Sequence, residues 1–155
     1  MEIKIFQNCW QKQVEKILTQ DFFDEFKIPT TKRSSDIFNV ADFYQKTGGN
    51  FWVLENNGEI LGTIGLKKFD EKVGILKRFF VNKNLRRKGF GSKLLQKTLN
   101  FAQEKKFEKI FLSTIEELNT AIKFYEKHNF QRLEKWPEFL GSSGIDNVFF
   151  VKDLK

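Results

Sequence analysis

The feature that most constrains this chain is a junction between a strand and a helix. Residues Val73 to Val81 read as a strand, and a basic, glycine-containing segment from Asn82 to Gly91 follows. A helix takes over at once, because Phe90, Leu94, Leu95, Thr98, Phe101 and Ala102 recur at helical spacing and form one apolar stripe. Lys105-Lys106 near its end suit the negative end of the helix dipole. Ile110-Phe111-Leu112 is then a strand again. Strand, helix and strand in succession make a crossover unit, so the two strands should lie parallel in one sheet. That places the chain in the α/β class.

The rest of the sequence extends this unit in both directions. Glu2 to Phe6 alternates polar and apolar residues as a short strand does. Trp10, Val14, Ile17, Leu18 and Phe22 have helical spacing, which predicts one amphipathic helix or two short ones over residues 8–26, ended by Pro29. A second helix is expected from Ser34 or Ser35 to Lys46, with Gly48-Gly49 as its left-handed cap. Phe51 to Leu54 and Ile60 to Phe69 are strands joined by Asn57-Gly58, a strong two-residue hairpin signal, and with Val73 to Val81 they predict an antiparallel meander. A last helix spans Asn119 to His128, followed by strands near Phe130–Glu134 and Val148–Val151. No internal repeat or linker interrupts residues 1–155, so one domain is expected.

Composition narrows the class of function. A net charge of +7 favours an anionic partner: nucleic acid, an acidic membrane or a phosphorylated small molecule. Cys9 is the only cysteine and His128 the only histidine, which excludes an intrachain disulfide, a Cys-rich zinc site and a His-based metal cluster. The N-terminus lacks the basic and apolar regions of a signal peptide, and no stretch approaches the ~18 apolar residues of a membrane span. A cytoplasmic protein without a membrane anchor is the expectation.

The chemistry concentrates in Arg86-Arg87-Lys88-Gly89-Phe90-Gly91-Ser92. A helix start has unpaired N–H groups and partial positive charge. Glycines let the backbone turn sharply and approach a ligand, and three adjacent cations add charge. Together they form an anion site suited to a pyrophosphate. The spacing does not fit a Walker loop, since Gly91-Ser92-Lys93 has no upstream glycine at the required place, nor a dinucleotide fingerprint, which needs a third glycine where Leu94 stands.

What remains, Arg86-x-x-Gly89-x-Gly91, resembles the coenzyme A pyrophosphate loop of the GNAT acetyltransferase superfamily, Gln/Arg-x-x-Gly-x-Gly/Ala. The stretch from Lys77-Arg78-Phe79-Phe80-Val81-Asn82 through Leu94-Leu95 resembles that family's motif region throughout. Downstream, Asn119, Ala121, Phe124-Tyr125-Glu126-Lys127 and Phe130 resemble its other signature helix, with Asn129 in place of the usual glycine. Asn tolerates the left-handed conformation needed there.

The resemblance implies the GNAT fold: a mixed, mostly antiparallel sheet of about seven strands, a splayed parallel pair at strands 4 and 5, and helices on both faces. It implies acetyl-CoA as cosubstrate and direct transfer to an amine of a small molecule or peptide. Phe79, Phe80 and Val81 would line the pantetheine arm, and a backbone N–H near Val81 would polarise the thioester. Arg86, Arg87, Lys88, Gly89, Phe90, Gly91 and Ser92 would hold the pyrophosphate. Asn119 and Phe124 would contact the cofactor, and Tyr125 would protonate the departing thiolate. No metal is implied, and members often pair as homodimers. Glu116 and Glu117 are candidate bases, and the loop from Lys135 to Gly144, with Trp136, is a candidate acceptor lid.

Each residue also has a structural reading: Asn119 as an N-cap, Tyr125 as core, His128 as a helix-end residue, Cys9 as a small buried hydrophobe. Two other functions compete. A non-catalytic acetyl-CoA sensor would have no need of Tyr125 and Asn119. A nucleic-acid binder would use the positive charge, but no DNA- or RNA-reading motif is present.

Overall fold

The computed structural model describes residues 1–29 and 32–154. Its centre is a seven-stranded sheet in the order β1-β2-β3-β4-β5-β7-β6. The strands are β1 (Glu2–Ile5), β2 (Asn50–Asn56), β3 (Glu59–Lys68), β4 (Val73–Val81), β5 (Lys109–Thr114), β6 (Gln131–Leu133) and β7 (Val148–Asp153). β4 and β5 pair in parallel, and every other neighbouring pair is antiparallel. Asn57 and Gly58 both have positive φ, 52° and 86°, the conformation a two-residue hairpin turn requires.

The first helical region is continuous but uneven. A 3-10 turn at Asn8–Trp10 leads into α1 (Gln11–Lys16), a π-type turn at Ile17–Asp21 and α2 (Phe22–Phe26). The Thr19 hydroxyl donates to the Glu15 carbonyl at 2.6 Å, occupying an acceptor of the helical ladder at the irregular turn. Lys27 ends the run in the left-handed region (φ 59°), two residues before Pro29. Cys9 is exposed rather than buried.

The helix expected from Ser34 or Ser35 to Lys46 is instead two irregular pieces. A 3-10 segment spans Lys32–Phe38, with Ser34 non-helical, and a π-type turn spans Ala41–Gln45. The reason lies in Asp36, which is 2% exposed and is drawn inward to a half-buried arginine and a buried tyrosine. A buried carboxylate must be paired, and that pairing overrides helical propensity.

Two helices cover one face of the sheet. α3 (Phe90–Glu104) buries Leu94, Leu95, Thr98 and Ala102, and α4 (Asn119–Lys127) buries Ile122 and Tyr125. They share a core with Trp52, Leu54, Ile64, Leu66, Leu76, Ile110, Leu112 and Phe150. A buried leucine contributes about 1.5–3 kcal/mol, so the stripe of α3 anchors the crossover. The opposite face is covered in two parts. The N-terminal helices pack Val14, Ile17, Leu18 and Ile37 on Phe51, Val53 and Phe80, while the segment before β7 packs Trp136 and Leu140 on Phe111 and Val151. The uncovered strip between these covers lies over β4 and β5. Among the described residues no helix is long and apolar enough to cross a membrane.

Candidate active site

β4 and β5 begin side by side and then part. Their register runs only through Val73↔Lys109, Gly74↔Ile110 and Ile75↔Phe111. Beyond it β4 stays paired with β3 up to Val81, and β5 stays paired with β7 up to Thr114. The gap is a cleft of about 810 Å³, walled by residues 75–80 on one side and 112–115 on the other. Tyr125 enters it from α4, and Trp136 and residues 142–146 enter from the segment before β7. Since Phe79 and Tyr125 belong to the α3–α4 side and Phe80 to the other, the cleft runs through the sheet.

The open edge of β4 carries unpaired backbone. The Asn82 N–H donates to the Leu61 carbonyl at 2.8 Å, towards β3. Successive N–H groups of a strand point to opposite sides, so that of Val81 faces the gap. A bulge shapes this edge further. Thr63 pairs with Phe80 and Gly65 with Lys77, leaving Arg78 and Phe79 opposite Ile64 alone, and Arg78 is left-handed (φ 55°). The bulge breaks alternation, so Lys77 and Arg78 both face away from α3. The Arg78 guanidinium forks onto Asp36 at 2.9 and 2.8 Å, and Tyr44 donates to the same carboxylate at 2.6 Å. Burial alone would raise the Asp36 carboxyl, but the Arg78 hydrogen bonds and charge outweigh it and hold it below its ordinary value. Burial, then the Asp36 charge, pushes Tyr44 well above the tyrosine range.

Tyr125 is 7% exposed and is surrounded by the rings of Phe79, Phe124, Phe130 and Phe150 at 5.6–6.2 Å. Burial pushes its hydroxyl above the ordinary tyrosine range, so it stays protonated at neutral pH. The hydroxyl is bound to no described residue, and the side chain lines the cleft.

The basic segment joins β4 to α3, and its Gly91 faces Phe79 of the cleft wall. Arg87 (φ 63°) and Gly89 (φ 86°) are both left-handed. A side chain at Gly89 would meet open space, so the backbone angle is what calls for glycine. Lys93 donates to the Gly89 carbonyl at 3.1 Å, closing the first turn of α3. The N–H groups of Phe90, Gly91 and Ser92 precede it and have no carbonyl within the helix. Arg87, Lys88 and Ser92 are exposed. Gly91 faces Phe124 and Phe79, where an added Cβ would lie 3.5 and 3.6 Å from the rings.

Phe79, Phe124, Tyr125 and Gly91 are thus brought together. Arg86 is placed differently from the expectation of a free cation. It forms an ion pair with Glu25, donates to the Val81 carbonyl at 2.9 Å and lies over the rings of Phe26 and Phe80. It braces the end of β4 against α2. Asn119 is exposed as the first residue of α4, and no side chain caps that helix. Glu116 is exposed and pairs with Arg132 at 2.6 Å, and neither it nor Glu117 lines the cleft. The only lining carboxylate among the described residues is Asp146, which accepts from the Ser113 hydroxyl at 2.6 Å.

Two further contacts escape a reading of the sequence. The His128 ring stacks on Phe124 at 4.0 Å, with Nδ1 2.8 Å from the Phe124 carbonyl and Nε2 3.0 Å from the Ser92 hydroxyl. A carbonyl only accepts, so Nδ1 carries a hydrogen, and the ring ties α4 to the start of α3. Ser92 and His128 are 36 residues apart, with no local pattern linking them.

Comparison with known proteins agrees with this geometry. Residues 12–130 match the family model described as Acetyltransferase (GNAT) family. A crystal structure of a GNAT-family acetyltransferase from Staphylococcus aureus Mu50 is 28% identical, with a TM-score of 0.93 over 99% of both chains. An acetyltransferase from Streptococcus agalactiae is 26% identical, with a TM-score of 0.82 over 98% of this chain and 97% of that one. The probable N-acetyltransferase camello of Xenopus laevis is 30% identical over 77% of this chain and 58% of its own length. This chain spans about half the length of the curated relatives it matches. With the splayed parallel pair, the glycine-containing helix start and this match over most of its length, the chain belongs to the GNAT acetyltransferase family.

Proposed function

We propose that the protein transfers the acetyl group of acetyl-CoA directly to an amine, the two substrates meeting in the gap between β4 and β5. The observation that carries this reading is the splay itself. It leaves the β4 edge unpaired, turns the Val81 N–H away from β3 at the end of that edge, and puts a protonated Tyr125 in the cleft lining.

The pantetheine arm pairs with the open edge of β4 from Phe79 to Val81, with Phe80 lining the cleft, as an added strand would. The pyrophosphate rests on the N–H groups of Phe90, Gly91 and Ser92, with Arg87 and Lys88 supplying charge and Gly89 the turn. Arg86 acts through Val81, whose carbonyl it fixes. Phe124 packs beside the arm, and Asn119 contacts it from the start of α4.

The acceptor must react as a neutral amine, and an alkyl amine has a pKa near ~10.4, so a proton leaves it first. The nitrogen lone pair then attacks the thioester carbon. The Val81 N–H stabilises the oxyanion that forms. As the intermediate collapses, the C–S bond breaks and the sulfur takes the hydroxyl proton of Tyr125. The nitrogen loses its second proton as the amide forms, and that proton restores the Tyr125 hydroxyl through solvent. The products are the acetylated amine and free coenzyme A, with one proton released overall from the ammonium.

Thiol release measured with acetyl-CoA and a panel of amines tests this. Tyr125→Phe should lower turnover at least tenfold with acetyl-CoA affinity unchanged. Equal turnover in the variant would remove Tyr125 as the acid. Absence of thiol release with every amine tested, while acetyl-CoA still binds, would leave a binding module.

A further inference from the structure

The acceptor side of the cleft carries an unbalanced set of charges. Among the described residues lining it, Lys77 and Arg78 are the cations and Asp146 the carboxylate. Arg78 is already neutralised by its fork onto Asp36. Lys77 is not. Among the described residues its ammonium forms no ion pair and no hydrogen bond. Burial, and then the Arg78 charge, lower its pKa, with Asp36 and Asp146 acting in the other direction and Lys67 adding to the lowering. Lys67 is satisfied elsewhere, by the Phe43 carbonyl at 3.2 Å and the Thr47 hydroxyl at 3.0 Å.

A half-buried ammonium without a counter-ion is costly, and the bulge at Arg78 holds it there. An arriving anion relieves that cost. Asp146 forms no ion pair with Lys77, and only one of its oxygens accepts from Ser113, so the wall presents one positive and one negative position, separate from each other. Leu18, Phe22, Ile28, Ile37, Leu140 and Ile145 supply the apolar part of the surrounding lining, with the hydroxyls of Ser34, Thr114 and Ser143 among them.

We infer that the acceptor is a free amino acid with an apolar side chain, its carboxylate held by Lys77 and its amino group by Asp146. This rests on the acetyl-transfer reading above. A polyamine offers nothing to Lys77 and is repelled by the cations around it. A simple amine leaves Lys77 as costly as before. The zwitterion satisfies both positions, and its side chain meets the apolar wall. Asp146 takes one ammonium proton, the nitrogen attacks the thioester carbon and the C–S bond breaks as described. Tyr125 protonates the sulfur, the second proton leaves the nitrogen as the amide forms and returns through solvent to the Tyr125 oxygen, and Asp146 releases its proton to solvent.

The test compares kcat/KM for apolar amino acids, each against its carboxamide and its decarboxylated amine, with spermidine and a lysine peptide included. Wild-type protein should favour at least one amino acid over its amide and amine by tenfold or more. Lys77→Glu should reverse that ratio and Lys77→Arg should keep it, a pattern that loss of structure would not produce. Should the charge reversal not fold, the wild-type ratio decides alone. Equal or better transfer to amide or amine overturns the inference. So does transfer confined to spermidine or the peptide, which leaves acetyl transfer itself standing. Acetyl-CoA binding with no transfer to any amino acid also overturns it. Absence of both binding and transfer overturns the functional reading beneath it.

Discussion

Replacing Asp36 with alanine should be the most destabilising single change near the cleft. The carboxylate is 2% exposed and takes three hydrogen bonds, two from Arg78 and one from Tyr44. Its removal strands a guanidinium and a fully buried phenol. Breaking a buried ion pair from one side costs about 3–5 kcal/mol. Arg78 keeps 26% of its side chain exposed, so solvent screens part of the loss and about 3 kcal/mol is expected. In a domain of this size that lowers the melting temperature by about 6–12 °C. The assay is a thermal melt at pH 7 with circular dichroism. Asp36→Ala/Arg78→Met should recover most of the loss, because the uncompensated charge is gone. Acid should mimic the single variant. The Asp36 carboxyl is held below its ordinary value, so its stabilisation is present above about pH 4 and is lost as pH falls through the folded value. A melting temperature within 2 °C of wild type for Asp36→Ala would refute the reasoning, as would a double variant no more stable than the single one.

Two other outcomes follow from the same geometry. Trp136 lines the cleft and packs against Phe111 and Phe149 at 6.2 and 5.8 Å, so Trp136→Ala should raise the acceptor KM about tenfold, a loss of about 1.4 kcal/mol, with acetyl-CoA affinity unchanged. An unaltered acceptor KM would show that this segment is no acceptor wall. Tyr44 and Tyr125 are both raised by burial, so their contribution to stability is intact below the ordinary tyrosine pKa of ~10 and falls as pH rises through it. Denaturant midpoints should therefore decline above about pH 10, less steeply in Tyr125→Phe; identical slopes would place the Tyr125 hydroxyl in contact with solvent.

Much of the fold was legible because it rests on local signals. The Asn57-Gly58 hairpin, the stripe of α3 and the left-handed Asn129 (φ 67°) each follow from residues within one element. The parallel pairing of β4 and β5 followed from one crossover. The turn into α3 was legible at Gly89, whose φ of 86° is one that glycine adopts freely. The site was not legible where long-range charge pairing decides. Strict alternation along β4 would send Lys77 and Arg78 to opposite faces, and only the bulge, set by the pairing with β3, puts them on one. Arg86 was read as a ligand contact because its partner Glu25 lies 61 residues away. Glu116 and Glu117 follow β5 closely, yet the carboxylate that reaches the cleft is Asp146, brought there by Ser113. The helix expected over residues 34–46 broke for the same reason, since the needs of buried Asp36 outweighed local propensity.

The central claim is that the gap between β4 and β5, together with the start of α3 beside Phe79, binds acetyl-CoA. Calorimetric titration of the wild-type protein and of Gly89→Glu tests it most directly. Gly89 is exposed with open space around it, and a side chain at its φ of 86° costs about 1–2 kcal/mol, less than the stability of a typical domain, so the variant should remain folded by circular dichroism while placing a carboxylate where the pyrophosphate would rest. Saturable one-to-one binding by the wild type, lost or weakened at least tenfold in the variant, is the expected result. Equal binding by both proteins would move the site away from this loop, and no binding by the wild type would contradict the claim.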